Sequence, residues 1–239
     1  MTLDDCASTP AAKLGLPALK RLVTLLVATA VWGLALFLSA GRLGWFRGWF
    51  YIGLFLACVT VTGVAMARVN PDLVNRRGMK HSGTKRFDRF ISAAYTLLVL
   101  AMAVVAGLDV VRFGWSSFGP ATIYPGAALF VAGVIPILWA AIVNPFLETT
   151  VRIQTDRDHR VVASGPYATV RHPMYVGIIL QNLSAPLILG SRWAYVPAGL
   201  VVALFVLRTA LEDRTLRNEL PGYEEFARRT RYRLLPGIW

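Results

Sequence analysis

The feature that most constrains this chain is a succession of apolar runs, several of them near the roughly 20 residues that a helix needs to cross a bilayer. Four stand out, at about 19–40, 49–68, 90–110 and 123–145. Two shorter stretches follow, about 173–190 and 193–211, joined only by Ser191-Arg192, which reads as a tight helical hairpin. Of the 239 residues 56% are hydrophobic and 16% charged, with a mean hydropathy of +0.54, well outside the range of an ordinary soluble domain. The expectation is an all-α polytopic membrane protein with about six membrane helices. The first run is too long for a cleavable signal peptide, and further spans follow it. The chain divides into an N-terminal tail (1–17), membrane helices one to four (18–147) and a C-terminal region (148–239) that contains the hairpin 173–211.

Charge sets the expected orientation. Of the 25 Lys and Arg residues, 21 fall on alternate connections, and only Arg42, Arg47, Arg112 and Arg192 fall on the others. The positive-inside bias then puts both termini and the later loops in the cytoplasm, and the Ala- and Arg-rich composition points to a bacterial cytoplasmic membrane. The net charge of +12 is spread over several membrane-side loops, which suits anionic headgroups better than nucleic acid. Cys6 and Cys58 are too few for a disulfide framework and read as free thiols. His81, His159 and His172 show no metal-ligand spacing, so no metal site is expected. The first four spans hold almost no ionisable residues at depth, which argues against an ion pump or proton-coupled transporter.

The polar residues that need a reason cluster after residue 144. GPYATVRHPMYVG (165–177) sets Arg171 and His172 directly before Pro173, a residue suited to a first helical turn, with Tyr167 and Tyr175 on either side. The N-terminus of such a helix exposes N–H groups and partial positive charge that can seat a carboxylate or phosphate. The plainer alternative is a capped helix whose Arg171 snorkels to headgroups. In RTALEDRTL (208–216), Arg208 and Glu212 are four apart and share one helix face, either as a solvated ion pair or, brought round by the hairpin, beside the Arg171–Tyr175 turn. A carboxylate and a guanidinium walled by tyrosines suit a zwitterionic or cationic ligand, because aromatic faces attract sulfonium and ammonium groups. The basic tail NELPGYEEFARRTRYRLLPGIW reads first as a helix lying on the membrane and second as a closure of that pocket.

The run HRVVASGPYATVRHPMYVG, with RTALEDRTL and then GYEEF downstream, resembles the isoprenylcysteine carboxyl methyltransferase family, integral-membrane enzymes related to phospholipid methyltransferases. The likeness is tight over about 150–236 and looser upstream, where NPDLVNRR (70–77) is similar to the family's Asn-Pro-acidic loop. The resemblance implies a cytoplasm-facing S-adenosyl-L-methionine pocket without a Rossmann domain. That agrees with the lack of a G-x-G-x-x-G run after a strand. It implies that Gln154, His159, Arg160, Val161, Val162, Tyr167, His172, Pro173, Met174, Tyr175 and Glu212 line the cofactor. It also implies that Arg208 is the catalytic residue facing the methyl acceptor. Asp213 stands where the family often has a second Glu.

The implied acceptor is a carboxylate on a lipid-modified, isoprenylcysteine-like molecule, ionised at neutral pH and gripped by Arg208 through a bidentate contact. Alternatives are a phospholipid amine or a small thiol. Further off stand an NADPH-dependent steroid-reductase-like enzyme, which carries a similar RHP run, and a non-catalytic scaffold.

Overall fold

A computed structural model describes residues 13–239; Cys6 and most of the expected N-terminal tail lie outside the described residues. Helix α1 (Leu16–Ala40) and α2 (Phe46–Val69) are followed by the short α3 (Pro71–Arg76). Helix α4 (Arg86–Gly107) runs on through a π-turn, Leu108–Arg112. Then come α5 (Ile123–Val143), α6 (Pro173–Leu189), α7 (Tyr195–Glu219) and α8 (Tyr223–Arg229). Five of the helices are long and apolar enough to cross a membrane, and α6, at 17 residues, is a shorter apolar helix. The all-α polytopic architecture follows the apolar runs because helix satisfies every backbone group within its own segment, as a bilayer core demands. Leu34, Leu97, Ile135 and Leu200 point outward, leaving an apolar surface suited to lipid.

Close backbone approach holds the bundle together. A Cβ on Gly133 of α5 would lie 2.7 Å from the Gly177 carbonyl of α6, so these helices cross with little between them. The core between α1, α4 and the hairpin is built from Trp32, Leu36 and Phe37 with Met102, Ala103 and Leu189. The hairpin turns where Gly190 caps α6 in the left-handed region at φ 86, which glycine adopts without a Cβ penalty. Helix α7 runs past its expected end at 211 to Glu219, since the polar face of its last turns finds partners in the tail and loops.

The connection 144–172 returns to the end of the bundle where α2, α5 and α7 finish. It is tied there by Val151, whose N–H donates to Asp88 Oδ2 (2.9 Å) and whose carbonyl accepts from Lys85 N (3.0 Å). Arg77 Nε donates to the Leu147 carbonyl at 3.0 Å, and Arg157 pairs with Asp72 at 2.9 Å. This charged lacing places the connection over the mouths of α6 and α7.

Candidate active site

Pro173 opens α6, and the His172 ring just before it stacks nearly parallel on Tyr175, with centroids 5.6 Å apart. The Tyr175 hydroxyl donates to Glu212 Oε2 on α7. The hairpin thus joins the HPMY elbow to the Arg-x-x-x-Glu face, as the sequence suggested. Arg208 lies one turn before Glu212, its guanidinium 5.1 Å from the Tyr175 ring centre.

Arg208, however, pairs across to α4. Its Nη2 is 2.7 Å from Asp88 Oδ1 and donates to the Thr149 carbonyl at 3.1 Å. Asp88 is fully buried, and its other oxygen anchors Val151. Nη2 thus sits in a close ion pair with Asp88 Oδ1 and donates one hydrogen bond, to the Thr149 carbonyl. The Arg208 Nε has no hydrogen-bond partner among the described residues.

The connection forms the facing wall. Gln154 is buried but spent on its own loop: its Nε2 donates to the Phe146 carbonyl (2.7 Å) and its Oε1 accepts from Arg157 (3.1 Å). His159 packs against the Phe146 ring at 4.7 Å, and burial holds its imidazole below the usual value. Val161 and Val162 are half-buried, and Arg160 is exposed at the mouth. Tyr167 is buried, with its hydroxyl oxygen accepting from Asn144 Nδ2 at 2.9 Å. Burial first, and Glu212 in the same direction, push that phenol well above its ordinary range. Met174 backs onto Arg77, whose own pKa burial lowers to about 10.

The structure brings every site residue expected from the sequence, Pro173 included, around one cleft of about 810 Å³ including its open mouth. It also adds residues that sequence reasoning missed. Glu148, its side chain fully buried, forms a two-pronged pair with Arg152 at 2.7 and 2.9 Å. The i,i+4 spacing of those two residues was the available signal. Tyr223 and Phe226 of the tail line the cleft as well.

The tail is thus a wall of the cleft, which reverses the order of the two readings of it. Asp213, 1% exposed, is the reason. It takes Arg171 at 2.8 Å, Arg217 and Arg233 at 3.1 Å each, and the Tyr223 hydroxyl at 3.0 Å. Arg171 does not snorkel to headgroups. It is buried and donates to the carbonyls of Ala227, Thr230 and Arg231. The N–H groups of Arg171 and His172 donate to the Tyr232 and Arg233 carbonyls, which ties the residues just before this helix to the tail.

Four buried polar atoms of cleft-lining residues have no hydrogen-bond partner among the described residues: Thr150 Oγ1, His172 Nε2, Arg208 Nε and Arg171 Nε, the last of which is ion-paired with Asp213 at 2.8 Å. Each such atom costs about 1–3 kcal/mol unless something satisfies it. They converge on the same space as Glu212 and the aromatic faces, the pattern of a binding site.

Residues 127–218 match the model of the isoprenylcysteine carboxyl methyltransferase (ICMT) family. The match covers α6, nearly all of α7 and the connection before them, which bears out the resemblance read from the HPMY and Arg-x-x-x-Glu motifs. The chain is also 29% identical over 150 residues to the cobalt-zinc-cadmium resistance protein CzcN of Cupriavidus metallidurans. That alignment spans 62% of this chain and 66% of the relative, just under two thirds of its length.

Proposed function

From the family match over residues 127–218, we propose that this protein is an S-adenosyl-L-methionine-dependent membrane methyltransferase that O-methylates the carboxylate of a lipid-modified, isoprenylcysteine-like acceptor. The observation that carries the reading is the convergence of unpartnered buried polar atoms, the Tyr175–Glu212 pair and aromatic faces on one cleft beside apolar helices. Bound there, S-adenosylmethionine supplies a methyl group on a positively charged sulfur.

The donor set fits such a ligand. The faces of Tyr167, Tyr175, Tyr223 and Phe226 suit a sulfonium. Glu212, fixed by the Tyr175 hydroxyl, offers its remaining oxygen to an ammonium or ribose hydroxyl. Met174, Pro173, Val161 and Val162 form apolar walls, and His159, Arg160 and His172 supply polar edges. Gln154 shapes the wall through its loop, where its Nε2 donates to the Phe146 carbonyl and its Oε1 accepts from Arg157. Arg208 faces the acceptor, with its Nε free of any hydrogen-bond partner among the described residues. A carboxylate acceptor is ionised at neutral pH, so no residue need take a proton, and the chain's work is positioning and exclusion of water. The charge bias of the loops supports a cytoplasmic site in a bacterial inner membrane. Residues 148–239 then act as the catalytic region, with the preceding helices as its membrane scaffold.

Calorimetric binding of S-adenosylmethionine and S-adenosylhomocysteine to detergent-purified protein, with NADPH as control, tests this. Both sulfur ligands should bind and NADPH should not. Glu212→Ala should weaken binding roughly 10–100-fold, whereas Arg208→Ala should retain binding and lose turnover. Equal loss of binding in both variants would overturn the division of roles. Transfer to an amine or thiol in place of a carboxylate would overturn the acceptor.

A further inference from the structure

Asp88 has no part in the chemistry outlined so far, yet it is the residue that Arg208 actually holds. Building on the carboxylate-acceptor reading above, we propose that Asp88 is a positioning residue that tempers Arg208. It fixes the guanidinium beneath the cleft while cancelling part of its charge, so that the acceptor carboxylate is gripped less tightly and stays nucleophilic.

The geometry comes first. Asp88 Oδ1 and the Thr149 carbonyl take Nη2 at 2.7 and 3.1 Å, and the Tyr175 ring lies 5.1 Å from the guanidinium carbon. Phe205 closes the arrangement at 5.8 Å. Held in this way, Arg208 keeps its buried, unpartnered Nε on the side of the cleft. Asp88 does not itself line that cleft, so it acts through Arg208 and touches neither reactant.

The chemistry gives the reason. In O-methylation the acceptor oxygen forms a bond to the methyl carbon as the carbon–sulfur bond breaks, and the sulfur keeps the electron pair. One negative and one positive charge disappear, and no proton moves. A cation that grips the carboxylate at full strength therefore stabilises the starting state more than the transition state, which lowers KM and slows the chemical step. An arginine is still useful for selecting and orienting the carboxylate. A buried counter-charge on its far side keeps the selection while weakening the grip.

Asp88→Asn and Asp88→Glu, each purified in detergent, test the idea. An amide keeps an oxygen for the Val151 N–H, so the loop anchor survives. Retained S-adenosylmethionine binding checks that the site is formed. The probes are an S-isoprenyl cysteine with a free carboxylate and its carboxamide, titrated calorimetrically without cofactor and then followed through a single turnover.

In Asp88→Asn the carboxylate should bind roughly tenfold more tightly relative to the carboxamide, while the single-turnover rate falls by a similar factor. Asp88→Glu should move both values back toward the parent. An unchanged carboxylate-to-carboxamide ratio, or weaker carboxylate binding at an unchanged rate, would overturn the role given to Asp88. If the parent protein binds S-adenosylmethionine but does not distinguish carboxylate from carboxamide, the acceptor reading fails, and this proposal fails with it.

Discussion

Helix α4 carries a buried carboxylate at each end, and the two are used in opposite ways. Asp109, in the π-turn at the far end, is completely buried and accepts only from neighbouring turns. Ser116 N and Oγ reach it at 2.7 Å each, Ser191 Oγ at 2.6 Å and Trp193 N at 3.3 Å. That knot has its donors in place and lies outside the cleft of the candidate site. Asp88, at the other end, has one backbone donor and one arginine that looks into a cleft beside other unpartnered atoms. Equal burial therefore says little about purpose. What separates a structural carboxylate from one tied to chemistry is whether its partners have donors left over.

The comparison breaks most directly at Asp109. Asp109→Ala would take the shared acceptor from buried Ser191 and from the half-buried donors of Ser116 and the Trp193 N–H, which should cost about 4 kcal/mol of stability. The expected outcome is a clear drop in the thermal unfolding temperature in detergent, with unchanged S-adenosylmethionine affinity in the protein that stays folded. A parallel loss of affinity would mean that the far end is coupled to the cleft after all.

Asp213 sharpens the contrast from the site end. Asp213→Ala removes the acceptor shared by Arg171, Arg217, Arg233 and Tyr223. Arg217 and Arg233 are partly exposed and can turn to water, so the loss should be smaller, about 3 kcal/mol. Unlike the Asp109 variant, this one should become sensitive to limited proteolysis around residues 220–235 and should bind S-adenosylmethionine less well, since Tyr223 and Phe226 form part of its wall.

These residues also mark how far the sequence could be read. Apolar runs and two short motifs were enough to locate the helices and to gather Tyr167, His172, Tyr175, Arg208 and Glu212 on one cleft, because those signals are local. Asp88 escaped because it sits just before the expected span at 90, where it reads as one acid among seven cations or as an ordinary acidic residue in a helix's first turn. The tail looked like a surface helix because its arginines dominate the composition. Their acceptor, Asp213, becomes visible only when α7, the elbow and residues 230–233 are seen together. Pairing across sequence distance carries no periodicity, so nothing in a single chain announces it.

The smallest expected effect is one of pH, and it too should respect the difference between the two ends. All three histidines, His81, His159 and His172, lie at the site end of the bundle. Burial lowers the His159 pKa from its ordinary 6.5, with Arg152 and Arg157 acting in the same direction against Glu148. The packed loop therefore favours the neutral ring, and the exposed ring of an opened loop takes up a proton first. The stabilising contribution of packing is fully present above pH 6.5 and is lost as pH falls through the lowered value. S-adenosylmethionine affinity should accordingly be flat above that point and weaken roughly threefold on acidification below it. His159→Gln should flatten the profile. The slope should persist in Asp109→Ala, whose altered end holds no group that titrates in this window. If His159→Gln keeps the slope, the proton belongs elsewhere, and the packing of His159 on Phe146 is not what shapes the wall of the cleft.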